Sequence, residues 1–165
     1  VFLLAAGHGA VSGTPETHCM NREIRTILLA EDSPADAEMA MDALREANLA
    51  NPIVHVEDGV EALDFLYCRG NYASRTELAP AVVLLDIKMP RLDGLDVLKQ
   101  MRSDDAFKRV PVVILSSSRE ESDLVRSWDL GVNAYVVKPV DVNQFFVAIR
   151  TLGQFWAVLN ETPDP

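Results

Sequence analysis

The sequence predicts an α/β fold built on an open, five-stranded parallel sheet, and two observations carry that expectation. Five short runs rich in Val, Ile and Leu alternate with five stretches whose apolar residues recur at helical spacing. The first, third and fourth runs are continuously apolar, the mark of strands covered by helices on both faces. Units of this kind join through right-handed crossovers into one layered domain.

The elements follow from Ile24 onward. "IRTILLAED" (24–32) reads as a strand ending in acids. Ser33-Pro34 then offers an N-cap and a proline at the first helical position, and Ala37, Ala40, Met41, Leu44 and Ala47 keep helical spacing through Asn48. "PIVHVE" (52–57) is the second strand. Asp58 with Glu61 forms a capping-box-like start for a helix carrying Ala62, Leu63 and Leu66. A longer polar connection, "CRGNYASRTELAP", leads to the third strand, "AVVLLDI" (81–87), and a helix from Gly94 to Arg102. "VPVVILS" (110–116) is the fourth strand. Ser118 and Glu121 then cap a helix with Leu124, Val125 and Trp128, and Gly131 stands where a C-terminal glycine cap belongs. "NAYVVK" (133–138) is the fifth strand. Asp141 and Gln144 open a last helix with Phe145, Ile149, Leu152, Trp156 and Leu159 on one face.

Composition narrows the function. The chain has 165 residues and a net charge of −10, so no basic face is available to neutralise nucleic-acid phosphates. Cys19 and Cys68 make neither a disulfide framework nor a metal-ligand pattern, and a reducing cytoplasm is expected. No apolar run reaches the roughly 20 residues of a membrane helix, and no Lys or Arg precedes "VFLLAAG" as a signal peptide requires. Residues 1–22 read as an N-terminal extension, 23–160 as one domain and 161–165 as a short tail. His8 and His18 have no partner cluster to make them metal ligands.

All strands of a parallel sheet end on one edge, and sites form there where strand order reverses. The strand ends carry Glu31 and Asp32, Asp86, Ser116 and Lys138. An acid closing a buried strand is costly unless compensated, and Asp86 closes the most apolar run of the chain. Carboxylates about 4 Å apart repel by on the order of 4 kcal/mol per pair at an effective dielectric near 20. A divalent cation relieves that repulsion. Oxygen ligands without His or Cys select Mg²⁺, with Mn²⁺ as an alternative. Three acids, one dication and Lys138 then sum to neutrality. A carboxylate beside such a cation and a lysine can attack a phosphoryl donor to give an aspartyl phosphate. Pro90 and Gly94 stiffen and turn the loop behind it.

The motifs "LLAEDS", "LLDIKMPRLDG", "VVILSSS" and "AYVVKP" resemble those of the response-regulator receiver domain, in order and spacing, from about Ile24 to Leu152. The resemblance implies a flavodoxin-like, CheY-type (βα)5 sandwich with strand order 2-1-3-4-5. It implies that Asp86 accepts a phosphoryl group from a partner histidine kinase, and that Asp32 and Asp86 bind Mg²⁺, with Glu31 acting through water. The Lys88 carbonyl would be a further ligand. Ser116 and Tyr135 would form the switch pair, and the Lys138–Pro139 peptide would be cis. Lys88 and Ser118 occupy the positions that tune hydrolysis in the family. The long connection after the second helix, "SWDLGVNAYVVKPVD" and the late "FW" resemble single-domain regulators paired with bacterial and cyanobacterial phytochrome kinases. One departure is the switch hydroxyl, often Thr in the family and Ser116 here.

Three rival readings have discriminating features. A phosphohydrolase of the haloacid-dehalogenase type wants a second aspartate two residues after the nucleophile, where this chain has Lys88. A DNA-binding regulator needs a helix-turn-helix module, and "ETPDP" after the last helix is too short for one. A degenerate receiver acting only as a docking module lacks site residues, whereas all five are present here. His55 reads as a partly buried strand residue, and Met39, Met41 and Trp128 as core or half-core. Phe146 lies off the core stripe of the last helix and Trp156 and Leu159 overhang the sheet. Together they predict a homodimer interface on the strand 5–helix 5 face.

Overall fold

The computed structural model describes residues 24–76, 79–117, 121–138 and 142–154. Five parallel strands, β1 (Ile27–Ala30), β2 (Ile53–Val56), β3 (Val82–Asp86), β4 (Val112–Ser116) and β5 (Ala134–Val137), form one sheet in the order β2-β1-β3-β4-β5. Between and after them run α1 (Pro34–Glu46), α2 (Gly59–Leu66), α3 (Gly94–Ser103), α4 (Glu121–Asp129) and α5 (Val142–Gln154). The predicted sheet and strand order are both present. The order reverses between β1 and β3, whose residues pair Ile27 with Val82 through Ala30 with Leu85. That seam is where a site is expected.

Period-two alternation divides the continuously apolar strands between two cores. Leu28, Ala30, Val83, Leu85 and Ile114 point to one face and pack with Phe65 of α2 and Leu95, Leu98 and Met101 of α3. Ile27, Leu29, Val82, Leu84, Val113 and Leu115 point to the other and pack with Ala37, Ala40 and Leu44 of α1 and Ile149 of α5. The strands are shorter than predicted because their outer residues leave the ladder. Glu31 nevertheless keeps a backbone bond, its N–H donating to the Val56 carbonyl at 3.0 Å. The acids therefore stand just past β1 on a fixed backbone.

The helix starts are set by side chains. Ser33 Oγ accepts from Asp36 N–H at 3.4 Å with Pro34 behind it, as predicted. Asp58 Oδ1 accepts from Glu61 N–H at 2.8 Å, but Glu61 Oε2 reaches back to Glu57 N–H, one residue beyond the expected capping box. Asp93, an unexpected cap, accepts from Asp96 N–H and starts α3. At the other ends, Asn48 (φ 52°) and Gly131 (φ 78°) take the left-handed conformation that terminates α1 and α4.

The connection after α2 is packed. It contains a 3₁₀ turn, Gly70–Tyr72. Tyr72 sits edge-on to Phe65 and donates to Glu61 Oε1, and Arg75 lies over the Phe65 ring. Trp128 corrects an expectation. Met39 and Met41 are half-core as predicted, but Trp128 is 54% exposed, and Leu124 and Val125 are exposed with it. The inward stripe of α4 is instead Asp123 and Ser127, one helical turn apart and both buried. Trp128 stands roughly 100° around the helix from Ser127 and faces outward.

Among the described residues no helix is long and apolar enough to cross a membrane. The predicted extension 1–22 and tail 161–165, and with them His8, His18 and Cys19, lie outside the described residues, as do Ser118, Pro139, Asp141, Trp156 and Leu159 and the side chains of Phe145 and Phe146.

One contact ties the α2 start to the loop after β3. Asp58, buried, accepts from the Arg91 guanidinium while capping α2. Burial pushes the Asp58 carboxyl up, but the Glu61 N–H and the Arg91 charge outweigh it and hold the group below the usual aspartate range. Asp58→Ala is expected to lower stability to urea by about 1–2 kcal/mol at neutral pH. A depressed folded pKa gives stability that is present above the unfolded value and lost as pH falls through the folded one. The wild-type and variant curves therefore converge in acid, and a constant gap would contradict this origin.

Candidate functional site

Four of the five strand ends deliver their polar residues to one place. Glu31 follows β1 and is 2% exposed, Asp86 closes β3 at 4%, and Ser116 closes β4 fully buried. Lys138 follows β5, held by its own N–H on the Ser116 carbonyl at 2.7 Å. Its side chain then runs back across the sheet edge. The ammonium meets Glu31 Oε2 at 2.5 Å, Asp86 Oδ1 at 2.9 Å and Asp36 Oδ2 at 3.0 Å. The predicted acids and lysine therefore converge, and Asp86 is tolerated at the end of its buried strand because its charge is paired.

The remaining lone pairs are also met. Lys88 N–H donates to Asp86 Oδ2 at 2.8 Å and Ser33 N–H to Glu31 Oε1 at 3.2 Å. His55 is no ligand: its Nε2 lies 2.8 Å from the Glu31 carbonyl and fixes the backbone of the acidic pair. Gly94 is required here. Its N–H donates to the Ile87 carbonyl at 2.9 Å, and a Cβ at this position would overlap the Asp86 carbonyl oxygen, 2.0 Å away. The loop can fold back over Asp86 only on a glycine.

Electrostatics reflect this packing. Burial raises the Glu31 pKa and the Asp86 charge adds to the rise, while Lys138 works against both. For Lys138, burial acts to lower the pKa, and the hydrogen bonds and charges of Glu31 and Asp86 overcome it and raise it. Lys138 is a cation throughout the physiological range.

Glu31, Asp32 and Asp86 each place one carboxylate oxygen within 4.8 Å of the others, with Asp32 exposed and the other two buried. Hard oxygens of this number and spacing, open to solvent on the Asp32 side, fit a small divalent cation that keeps part of its water shell. Tyr135 is half-buried against the core face shared with Ile114, its register partner in β4. Lys88 carries its ammonium outward, 3.6 Å from the buried Asp123 Oδ2 of α4.

Asp36 is the residue that reading the sequence missed. It was visible as an acid in the first turn of the helix behind the acidic pair, but such acids are commonplace as partners of the helix dipole. With it, the three-acid charge balance no longer closes, and one negative charge is left over once a dication is bound.

The response regulator receiver domain matches residues 27–150. The chain belongs to this family. The response regulator Rcp1 of Synechocystis sp. is 33% identical over 132 residues, covering 80% of this chain and 88% of its own. The Mn²⁺-bound form of Rcp1 superposes with a TM-score of 0.77 over 85% of this chain and 99% of that one. The phosphorylated cyanobacterial phytochrome response regulator RcpA gives 0.78 at 36% identity, over 85% and 99%. The bacteriophytochrome response regulator AtBRR gives 0.69 at 57% identity, over 84% and 99%. Receiver domains are signalling modules rather than turnover enzymes; they take phosphoryl groups from histidine kinases and hold a divalent metal. The phosphohydrolase reading falls with this match and with the outward Lys88.

Proposed function

We propose that the chain receives a phosphoryl group on Asp86 from a partner histidine kinase of phytochrome type, with Mg²⁺, and so switches a protein-binding face. The observation that supports it most is the single ammonium of Lys138 bridging Glu31 and Asp86 at the seam of the sheet. The descriptions of RcpA as a cyanobacterial phytochrome response regulator and of AtBRR as a bacteriophytochrome response regulator support the phytochrome partner.

One Asp86 carboxylate oxygen attacks phosphorus as the phosphorus–nitrogen bond of the donor phosphohistidine breaks. The leaving imidazole nitrogen takes up its proton from solvent. Glu31, Asp32, Asp86 and the Lys88 carbonyl would hold Mg²⁺, which when bound neutralises charge on the transferring oxygens. Lys138 follows the phosphoryl oxygens, exchanging its bond to Asp86 Oδ1 for one to the new group. Ser116, at the end of β4, turns its hydroxyl to the phosphoryl group and moves the loop after it, and Tyr135 turns inward. Lys88 and Ser118 border the path of the hydrolytic water. The same residues thus catalyse only the chain's own phosphorylation and dephosphorylation.

Intact mass after incubation with acetyl phosphate and Mg²⁺ tests the phosphoacceptor. One base-labile phosphoryl group is expected on wild type and on Ser116→Ala, with none on Asp86→Asn. Ser116→Ala should lose the accompanying spectral change. Labelling of Asp86→Asn would refute the assignment, and an unlabelled wild type would favour the docking-module reading.

The switched face is proposed to form a twofold homodimer through β5 and α5, with Phe146, Trp156 and Leu159 at its centre. Val137 of β5 and Val147 of α5 are exposed, as are Leu124, Val125 and Trp128 of α4. Sedimentation at several concentrations should show self-association that phosphorylation strengthens or weakens. A monomer in both states at tens of micromolar, or a dimer indifferent to Phe146→Asp, would contradict it.

A further inference from the structure

We infer that Asp36 is a positioning residue that keeps the Lys138 ammonium beside the site while a divalent cation occupies it. This deepens the receiver reading and rests on it. An ammonium has three N–H donors, and in this structure Lys138 meets three carboxylates: Glu31, Asp86 and Asp36. Glu31 and Asp86 also belong to the group of oxygens that gathers within 4.8 Å to face a metal; Asp36 does not. Two of the three partners of Lys138 are therefore carboxylates that a cation claims.

When Glu31 and Asp86 turn toward a cation, their hold on the ammonium weakens, and two positive charges face the same acids. Asp36 gives the ammonium a carboxylate outside that group. It is well placed to do so. It stands in the first turn of α1, its N–H is tied to Ser33 Oγ, and Pro34 fixes the backbone just before it. Its side chain is 35% exposed, against 2% and 5% for Glu31 and Asp86, so its charge stays solvated whichever way Lys138 leans. Lys138 is thus drawn to the α1 side of the cleft and shares the site with the cation without competing for its ligands.

The consequence is a coupling between two residues read through metal affinity. Mg²⁺ titrations by calorimetry should show affinity weakened about three- to tenfold in Asp36→Asn, and close to wild type in Asp36→Glu, which keeps the charge. In a Lys138→Met or Lys138→Gln background there is no ammonium to hold, and Asp36→Asn should change affinity by less than about twofold. Unchanged affinity for Asp36→Asn in the otherwise native chain would overturn the inference. An equal loss with and without Lys138 would also overturn it, because Asp36 would then act only as a distant charge. Absence of Mg²⁺ binding by the wild-type chain would overturn the metal reading itself, and this inference with it.

Discussion

Everything at this site depends on one constraint: acids that end buried strands must have their charge met where they stand. Glu31 and Asp86 are almost wholly buried, and Lys138, its side chain 9% exposed, bridges them. Removing one member of such a group leaves uncompensated charge in a poorly solvated place, which costs far more than the net worth of the pairing. The backbone around it is arranged accordingly. Lys88 and Ser33 spend N–H groups on the two carboxylates, His55 holds the Glu31 carbonyl, and the loop carrying Lys88 closes over Gly94.

The sheet order makes that arrangement possible. β1 and β3 are neighbours at the reversal point, so Glu31 and Asp86 emerge side by side. β5 lies two strands from β3, roughly 10 Å at ordinary strand spacing. Only a long, flexible cation spans that gap together with the Asp86 side chain, which explains why the residue after β5 is a lysine. The cost of the acidic cluster is thereby offset by the most distant strand, and the correct fold and the formed site become one event.

Much of this was legible in the sequence because it follows from periodicity and direction. Apolar runs alternating with helical stretches imply parallel strands, parallel strands share an edge, and polar residues that close those strands are therefore candidates for one site. Asp86, Ser116 and Lys138 were found in this way. What stayed hidden were contacts that period cannot encode. Asp36 belongs to a helix, and nothing local distinguishes an acid that serves the helix dipole from one that also binds a lysine 102 residues away. The Asp58–Arg91 pair joins residues 33 apart for the same reason. Trp128 misled because helical spacing reveals that a face is apolar but not which face turns inward; on α4 the small and polar stripe of Asp123 and Ser127 took that place.

Only the folded chain assembles the acid cluster, and a divalent cation neutralises the charge that Lys138 leaves. Urea unfolding of the wild-type chain over a range of Mg²⁺ concentrations tests it most directly. A cation bound by the native state and not by the unfolded chain should raise stability by about 1.4 kcal/mol for each tenfold increase in Mg²⁺ beyond its Kd. Unfolding midpoints that do not differ between Mg²⁺ and sodium chloride at matched ionic strength would mean that the native acid cluster binds no divalent cation.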